Sequence, residues 1–154
     1  DPESDRFRME IKDDGRGMNQ ETLQKALDPF YTTKKVRRVG LGLPMLSQAA
    51  QQCEGRFSIK STEGVGTTVC AEFKRSHIDR QPLGDVAGAI SILVAGNPET
   101  EFVYRHTIAR REFCCDTREI RKAIEDVPIN HPEILNFIRS SIREGLEELG
   151  VKYE

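Results

Sequence analysis

Residues 6–12 alternate strictly, with Phe7, Met9 and Ile11 on one face and Arg6, Arg8, Glu10 and Lys12 on the other. Period two predicts a half-buried strand. Residues 1–5 before it read as a turn left over from a hairpin whose first strand is missing. From Asn19 the period lengthens. Asn19 is placed to cap a helix running to about Leu27, with Leu23, Ala26 and Leu27 inward and Pro29 ending it. A second helix is predicted over residues 43–54, with Leu46, Ala49, Ala50 and Cys53 on one stripe and Gly55 as its stop. Residues 56–61 and 68–74 alternate again, and the turn Glu63-Gly64-Val65-Gly66 joins them. Phe57 and Ile59 should face Val69, Ala71 and Phe73. Every strand has one apolar face, so the expected fold is α+β: a two-layer sandwich, with helices on one face of a mixed, mostly antiparallel sheet.

After Arg75 the pattern changes. Residues 76–81 are polar and read as a linker. Residues 82–93 are helical by period through Leu83, Val86, Ile90 and Leu93, and Gly96-Asn97-Pro98 should stop them. A hairpin over residues 101–108 and 112–116, turning at Ala109-Arg110-Arg111, precedes a short helix to Asp126. A last helix from Pro132 to about Leu149 carries Ile134, Leu135, Ile138, Ile142, Leu146 and Leu149 on one face. The expected organisation is one domain over residues 1–75, a linker over 76–81 and a small α-β-β-α-α domain over 82–154, whose role the sequence does not disclose.

Composition narrows the function classes. Charged residues make up 31% of the 154 and nearly cancel, leaving a formal net charge of -2. That gives no electrostatic case for nucleic acid. No apolar run approaches the roughly 18 residues of a membrane span. No signal peptide is visible, and the four cysteines lack disulfide-scaffold or zinc-ribbon spacing, so a reducing cytoplasm is expected. The chain begins at Asp1 rather than Met, which suggests a piece of a longer protein.

The chemistry concentrates in residues 12–45. Two glycine clusters, Asp13-Asp14-Gly15-Arg16-Gly17 and Gly40-Leu41-Gly42-Leu43, flank a basic loop carrying Lys34, Lys35, Arg37 and Arg38. Glycines let a backbone approach a ligand without a Cβ in the way. Exposed N–H groups at such turns, or at a helix start, make an anion site. An acid beside the first cluster suits an amine such as that of adenine, so the pattern points to a nucleotide.

These boxes resemble the ATP-binding domain shared by sensor histidine kinases, DNA gyrase, the ninety-kilodalton heat-shock chaperone and the MutL proteins (the GHKL group). Asp13-Asp14-Gly15-Arg16-Gly17 is similar to its Asp-x-Gly-x-Gly box, Gly40-Leu41-Gly42-Leu43 to its second glycine box, and Gly64-Val65-Gly66-Thr67 to its final Gly-x-Gly-Thr. Pro29-Phe30-Tyr31-Thr32-Thr33-Lys34 resembles the Phe-containing box of the kinase ATP lid and favours the kinase branch. The resemblance covers about the first half of the chain. It implies that Asp13 accepts the adenine amine and that Gly15 and Gly17 shape the pocket. It further implies that Phe30, Thr33 and Lys34 belong to the lid, with Lys34 reaching the γ-phosphate, and that Gly40, Leu41, Gly42 and Leu43 receive the phosphates at a helix start. Thr67 is implied to fix the pocket near Asp13. A turn-capping aspartate is the plainer role for an acid before glycine, and Asp14 is the better candidate for it. The implied cofactors are ATP and Mg2+, but the family's metal-binding Asn lies on an upstream helix that this chain does not contain. The chain as it stands is thus expected to bind nucleotide poorly and to hold no metal ligand. Val39 stands where many kinases have Gly-Thr, a second departure from the pattern.

Ser76-His77-Ile78-Asp79-Arg80-Gln81-Pro82-Leu83 resembles the phosphoacceptor box of histidine kinases. That box normally precedes the ATP domain and carries an acid where Ile78 sits, so a polar linker histidine is the plainer reading of His77. Cys114 and Cys115 in a strand should point to opposite faces, and with His106 they lack metal spacing. His131 reads as a surface residue.

The leading expectation is a Mg-ATP-dependent kinase-type ATPase, the catalytic part of a signalling histidine kinase, transferring a phosphoryl to a histidine on a protein partner and homodimeric in its intact form. The alternatives are an ATP-gated binding switch, an anti-sigma-like serine kinase acting on a partner, and an interaction module with an inactive pocket.

Overall fold

The computed structural model describes residues 3–28, 31 and 40–151. They form two compact units, residues 1–80 and 81–154, so residues 76–80, expected as a linker, are built into the first.

In the first unit the alternating segments become β1 (Arg6–Asp13), β2 (Arg56–Thr62) and β3 (Gly66–Lys74), joined as an antiparallel sheet in the order β1-β3-β2. Among the described residues every pairing in this sheet is antiparallel. Phe57 pairs with Ala71, Ile59 with Val69, and Phe7 with Phe73. The apolar face this creates is covered by α2 (Gly42–Gln52). Ala50 and Cys53 are buried against Ala71 and Phe73, with Phe7, Leu46, Ala49 and Phe57 around them. The other face carries Arg8, Glu72 and Arg56 in one row.

The end of α2 departs from expectation in an informative way. Glu54, not Gly55, takes the left-handed conformation (φ 53). Gly55 N–H donates to Ala50 O at 2.8 Å and Glu54 N–H to Gln51 O at 3.2 Å, the paired bonds of a helix reversal. Glycine is required at 55 for closeness: a Cβ there would lie 1.8 Å from Glu72 O. The first helix, α1 (Gln20–Lys25), is capped by Asn19 as expected, its Oδ1 accepting from Thr22 N–H at 2.9 Å. It buries none of its residues, and Leu27, expected inward, is exposed, because no described element packs over it.

In the second unit α3 (Val86–Gly96), β4 (Val103–Ile108), β5 (Arg111–Asp116), α4 (Thr117–Ile124) and α5 (Pro132–Glu148) follow in order. The face expected of α5 is the one observed. Ile138, Ile142, Leu146 and Leu149 are buried and Ile134 and Leu135 partly so. Four expectations are corrected. Helix α3 starts at Val86 rather than Pro82, because Gly84 is left-handed (φ 70) and Asp85 Oδ1 caps Gly88 N–H at 2.9 Å. Its buried positions are Ala87 and Val94, and Leu93 is exposed; a helix apolar nearly all round does not declare its inner face by period. The hairpin turns at Ala109-Arg110 alone, with Ala109 at φ 53, and α4 ends at Ile124 because Glu125 is left-handed at φ 50. Arg111, placed in the turn by sequence, instead lies in β5 and donates to the carbonyls of Glu148 and Leu149 at 3.0 and 2.9 Å, capping α5.

No helix among the described residues is long and apolar enough to cross a membrane.

Candidate functional site

Strand β1 delivers Asp13 as its last residue, where it pairs with Thr67, and Thr67 pairs in turn with Ser61. One rung of the sheet therefore carries Asp13, Thr67 and Ser61 side by side. The loops beyond this rung interlock. Gly17 (φ 63) lies so close to β2 that a Cβ would sit 1.9 Å from Thr62 O, and Gly64 N–H donates to Arg16 O at 2.8 Å. Gly66 (φ 131) is equally confined, a Cβ there falling 2.0 Å from Asp13 O. The loop after β1 and the β2–β3 turn are thus clamped together by contacts that only glycine permits.

Ser61, which sequence reasoning passed over, ties this clamp. Its Oγ accepts from Met18 N–H at 2.8 Å, donates to Gly66 O at 3.0 Å and lies 3.0 Å from Thr67 Oγ1. One proton and two lone pairs serve three partners, so the hydroxyl's capacity is filled when Thr67 donates to it. The one available signal was its place opposite Thr67 in the second hairpin.

Asp13 is exposed, and its Oδ1 accepts Gly15 N–H at 2.9 Å. The turn-capping role expected of Asp14 therefore belongs to Asp13. The same bond explains Gly15, where a Cβ would lie 2.8 Å from Asp13 Oδ1. The bond fixes the carboxylate while Oδ2 keeps its acceptor capacity.

The second glycine cluster opens α2. Leu41 is its N-cap and offers no capping side chain. A Cβ on Gly42 would meet no described residue within 4 Å, so packing among the described residues does not demand glycine there. Pro44 has no N–H to satisfy, and no described residue accepts from Gly42 or Leu43 N–H. Gly40 and Leu43 are half-buried and Leu41 is exposed. The C-terminal end of α2 is fixed at the far end of β3, where Lys74 N–H donates to Cys53 O at 3.0 Å. Phe30, Thr33 and Lys34, with Pro29, Lys35, Arg37, Arg38 and Val39, lie outside the described residues.

The structure brings Asp13, Gly15, Gly17 and Thr67 together and does not bring His77 to them. His77 follows Lys74 at the opposite end of β3, and the strand from Thr67 to Lys74 spans about 24 Å. It sits on a turn, Arg80 N–H donating to His77 O at 3.1 Å, and not on a helix. A cleft of about 310 Å³ at this same far end is lined by Asp5, Arg6, Glu54, Arg56, Glu72 and Lys74 among others. Four of its charges pair off, Lys74 Nζ lying 2.8 Å from Glu54 and Arg6 3.9 Å from Glu72.

In the second unit Cys114 is exposed and Cys115 buried, and burial pushes the Cys115 thiol up. His106 is held by Tyr104 Oη, 2.9 Å from its Nδ1, and His131 caps α5, accepting from Glu133 N–H at 3.4 Å. No group of three or more His, Cys, Asp or Glu among the described residues is arranged to hold a metal ion.

Several relatives each align with less than half of the chain. Sporulation kinase E of Bacillus subtilis (strain 168) is 37% identical over 65 residues, 42% of this chain and 9% of the relative. Sensor kinase CckA of Brucella abortus (strain 2308) is 40% identical over 68 residues, 44% and 7%. Sensor histidine kinase YxdK of Bacillus subtilis is 31% identical over 75 residues, 46% and 23%. The chain thus spans less than a quarter of each of these relatives. Residues 1–77 match the family described as histidine kinase-, DNA gyrase B-, and HSP90-like ATPase. With the interlocked glycine loops and the Asp13–Thr67–Ser61 rung in place, the chain belongs to that ATPase family.

Proposed function

We propose that the first unit is the adenine-nucleotide-binding part of a kinase-type ATPase, and that the intact protein transfers the γ-phosphoryl of ATP to a histidine on a protein partner. The rung that aligns Asp13, Thr67 and Ser61 carries this reading. It offers an ionised acceptor, held by the Gly15 N–H, at the mouth of a loop pair that only glycines allow to close. A carboxylate held in this way suits the exocyclic amine of adenine, since it can only accept. The open start of α2 supports phosphate binding: two N–H groups, the positive end of the helix dipole and no Cβ at Gly42. No described residue gives Gly42 a packing reason to be glycine, which suits the close approach of a phosphate.

Among the described residues no group of three or more His, Cys, Asp or Glu is arranged to hold a metal ion, and no step is assigned to one. Phosphoryl transfer asks the protein chiefly for position and charge compensation. Asp13 and the start of α2 are suited to the first of these. The position of His77, a strand's length from the rung, favours an acceptor outside this unit. Homodimerisation and a cytoplasmic setting belong to the same proposal.

The full-length protein should be incubated with γ-labelled ATP and its partners. Acid-labile, alkali-stable label supports transfer to histidine; alkali-labile phosphoserine replaces that reading with the serine-kinase one; nucleotide binding without label replaces it with a binding switch.

A further inference from the structure

The segment leaving the first unit is held by hydrogen bonds and by Arg80, whose guanidinium lies 5.8 Å from the centre of the Phe7 ring. Ile78 at its tip is 94% exposed, and no described residue packs over it. Asp5 grips its start, accepting from Ser76 N–H at 3.0 Å and Ser76 Oγ at 2.5 Å. Arg80 N–H returns to His77 O at 3.1 Å and Arg80 Nε to Arg75 O at 2.7 Å. Within this turn Asp79 N–H donates to His77 Nδ1 at 3.2 Å. That bond needs a lone pair on Nδ1, which fixes the neutral tautomer with the proton on Nε2.

Two carboxylates face the same ring. Glu54, just past α2, brings Oε1 to 3.7 Å from Nε2, and Asp79 brings Oδ2 to 3.8 Å from Nδ1. The ring's side chain is only 17% exposed. Arg75 and Arg80 are further cations of the same turn, and Lys74, at the end of β3, is bound to the other oxygen of Glu54 at 2.8 Å. Oε1 therefore stays available to the imidazole.

We propose that His77 is a proton-operated latch on the turn through which the first unit continues into the second. Neutral, it accepts the Asp79 N–H and closes the turn. Protonated, Nδ1 becomes a donor and can no longer accept, so the Asp79 N–H is released. The imidazolium then draws Asp79 Oδ2 and Glu54 Oε1 in by about 1 Å to charge-assisted distance. The proton comes from solvent and no covalent bond changes. This role is independent of nucleotide binding and differs from the phosphoacceptor role that the residues around His77 suggested by resemblance.

The test is an NMR pH titration of the full chain, following the His77 ring and the hydrogen-exchange protection of the Asp79 amide together. The expected result is a roughly five- to tenfold fall in protection as His77 gains its proton. In His77→Gln, whose side-chain carbonyl accepts at any pH, that step should disappear while the dispersion of the remaining amides is retained. An Asp79 amide indifferent to the His77 titration overturns the proposal. So does a step of the same midpoint persisting in His77→Gln, which would assign it to a carboxylate instead.

Discussion

Replacing Ser61 by alanine removes a single oxygen and three hydrogen bonds, to Met18 N–H, Gly66 O and Thr67 Oγ1, at 2.8, 3.0 and 3.0 Å. Each such bond contributes about 1 kcal/mol net. The site is only partly buried, so water recovers some of the loss, and a destabilisation of about 2 kcal/mol is expected. Thr67→Val removes one of the three and should cost about 1 kcal/mol. Because the two hydroxyls share a bond, the double variant should fall short of the sum by roughly 0.5–1 kcal/mol. The assay is urea denaturation, following the first unit's transition, with each variant's midpoint read at unchanged slope. Nucleotide affinity should fall alongside, since Ser61 holds the loop after β1 to the β2–β3 turn. A Ser61→Ala variant within about 0.3 kcal/mol of the parent would refute the reasoning, because the clamp would then rest on the glycine contacts alone.

Three further outcomes follow. In α5, Gly145 lies under Phe113, and a Cβ there would fall 2.1 Å from the ring. Overpacking of about 1–3 kcal/mol should outweigh the helix-propensity gain of about 1 kcal/mol, so Gly145→Ala lowers the second unit's denaturation midpoint; a raised midpoint contradicts the contact. Burial depresses the His106 pKa below its ordinary 6.5. The unfolded chain therefore takes up the proton first, and this group's share of stability, intact above pH 6.5, is lost as pH falls from there to the folded pKa. Urea midpoints at successive pH values should show that slope in the parent and lose it in His106→Gln. At lower pH a separate decline is expected from Asp116, held down to about 2 by Arg118, its contribution present above 3.8 and lost as pH drops through about 2; Arg118→Gln, by raising the folded pKa toward 3.8, should shrink that decline.

How much of this the sequence disclosed depends on how local each determinant is. The strands β1, β2 and β3 were legible because alternation is written into consecutive residues; it put Phe57 on the face of Ala71, and the structure supplies the register that pairs them. The inner face of α5 was legible for the same reason at a longer period. Helix α3 was not, since nearly every side is apolar and only the packing on α5 selects Ala87 and Val94. Partners distant in sequence were invisible. Ser61 meets Met18 across 43 positions, and Arg111 meets the end of α5 across 37 and 38. Asp13 was found through its neighbours Gly15 and Gly17, but its bond to the Gly15 N–H, assigned beforehand to Asp14, needed coordinates. Gly55 reads in the sequence as a conformational stop, whereas its role is the approach of a neighbouring strand's carbonyl. The box resemblance was legible because its residues are sequential; His77 showed its limit, since a matching string of residues said nothing about which end of the sheet it would occupy.

The claim on which the account turns is that Asp13 receives the base of a nucleotide. Isothermal titration of the full-length protein with Mg-ATP, beside its Asp13→Asn variant, tests it most directly. The account predicts measurable binding that weakens by roughly 10- to 100-fold in the variant, the worth of one charge-assisted hydrogen bond. An affinity unchanged in Asp13→Asn, or no binding at millimolar nucleotide, would contradict it.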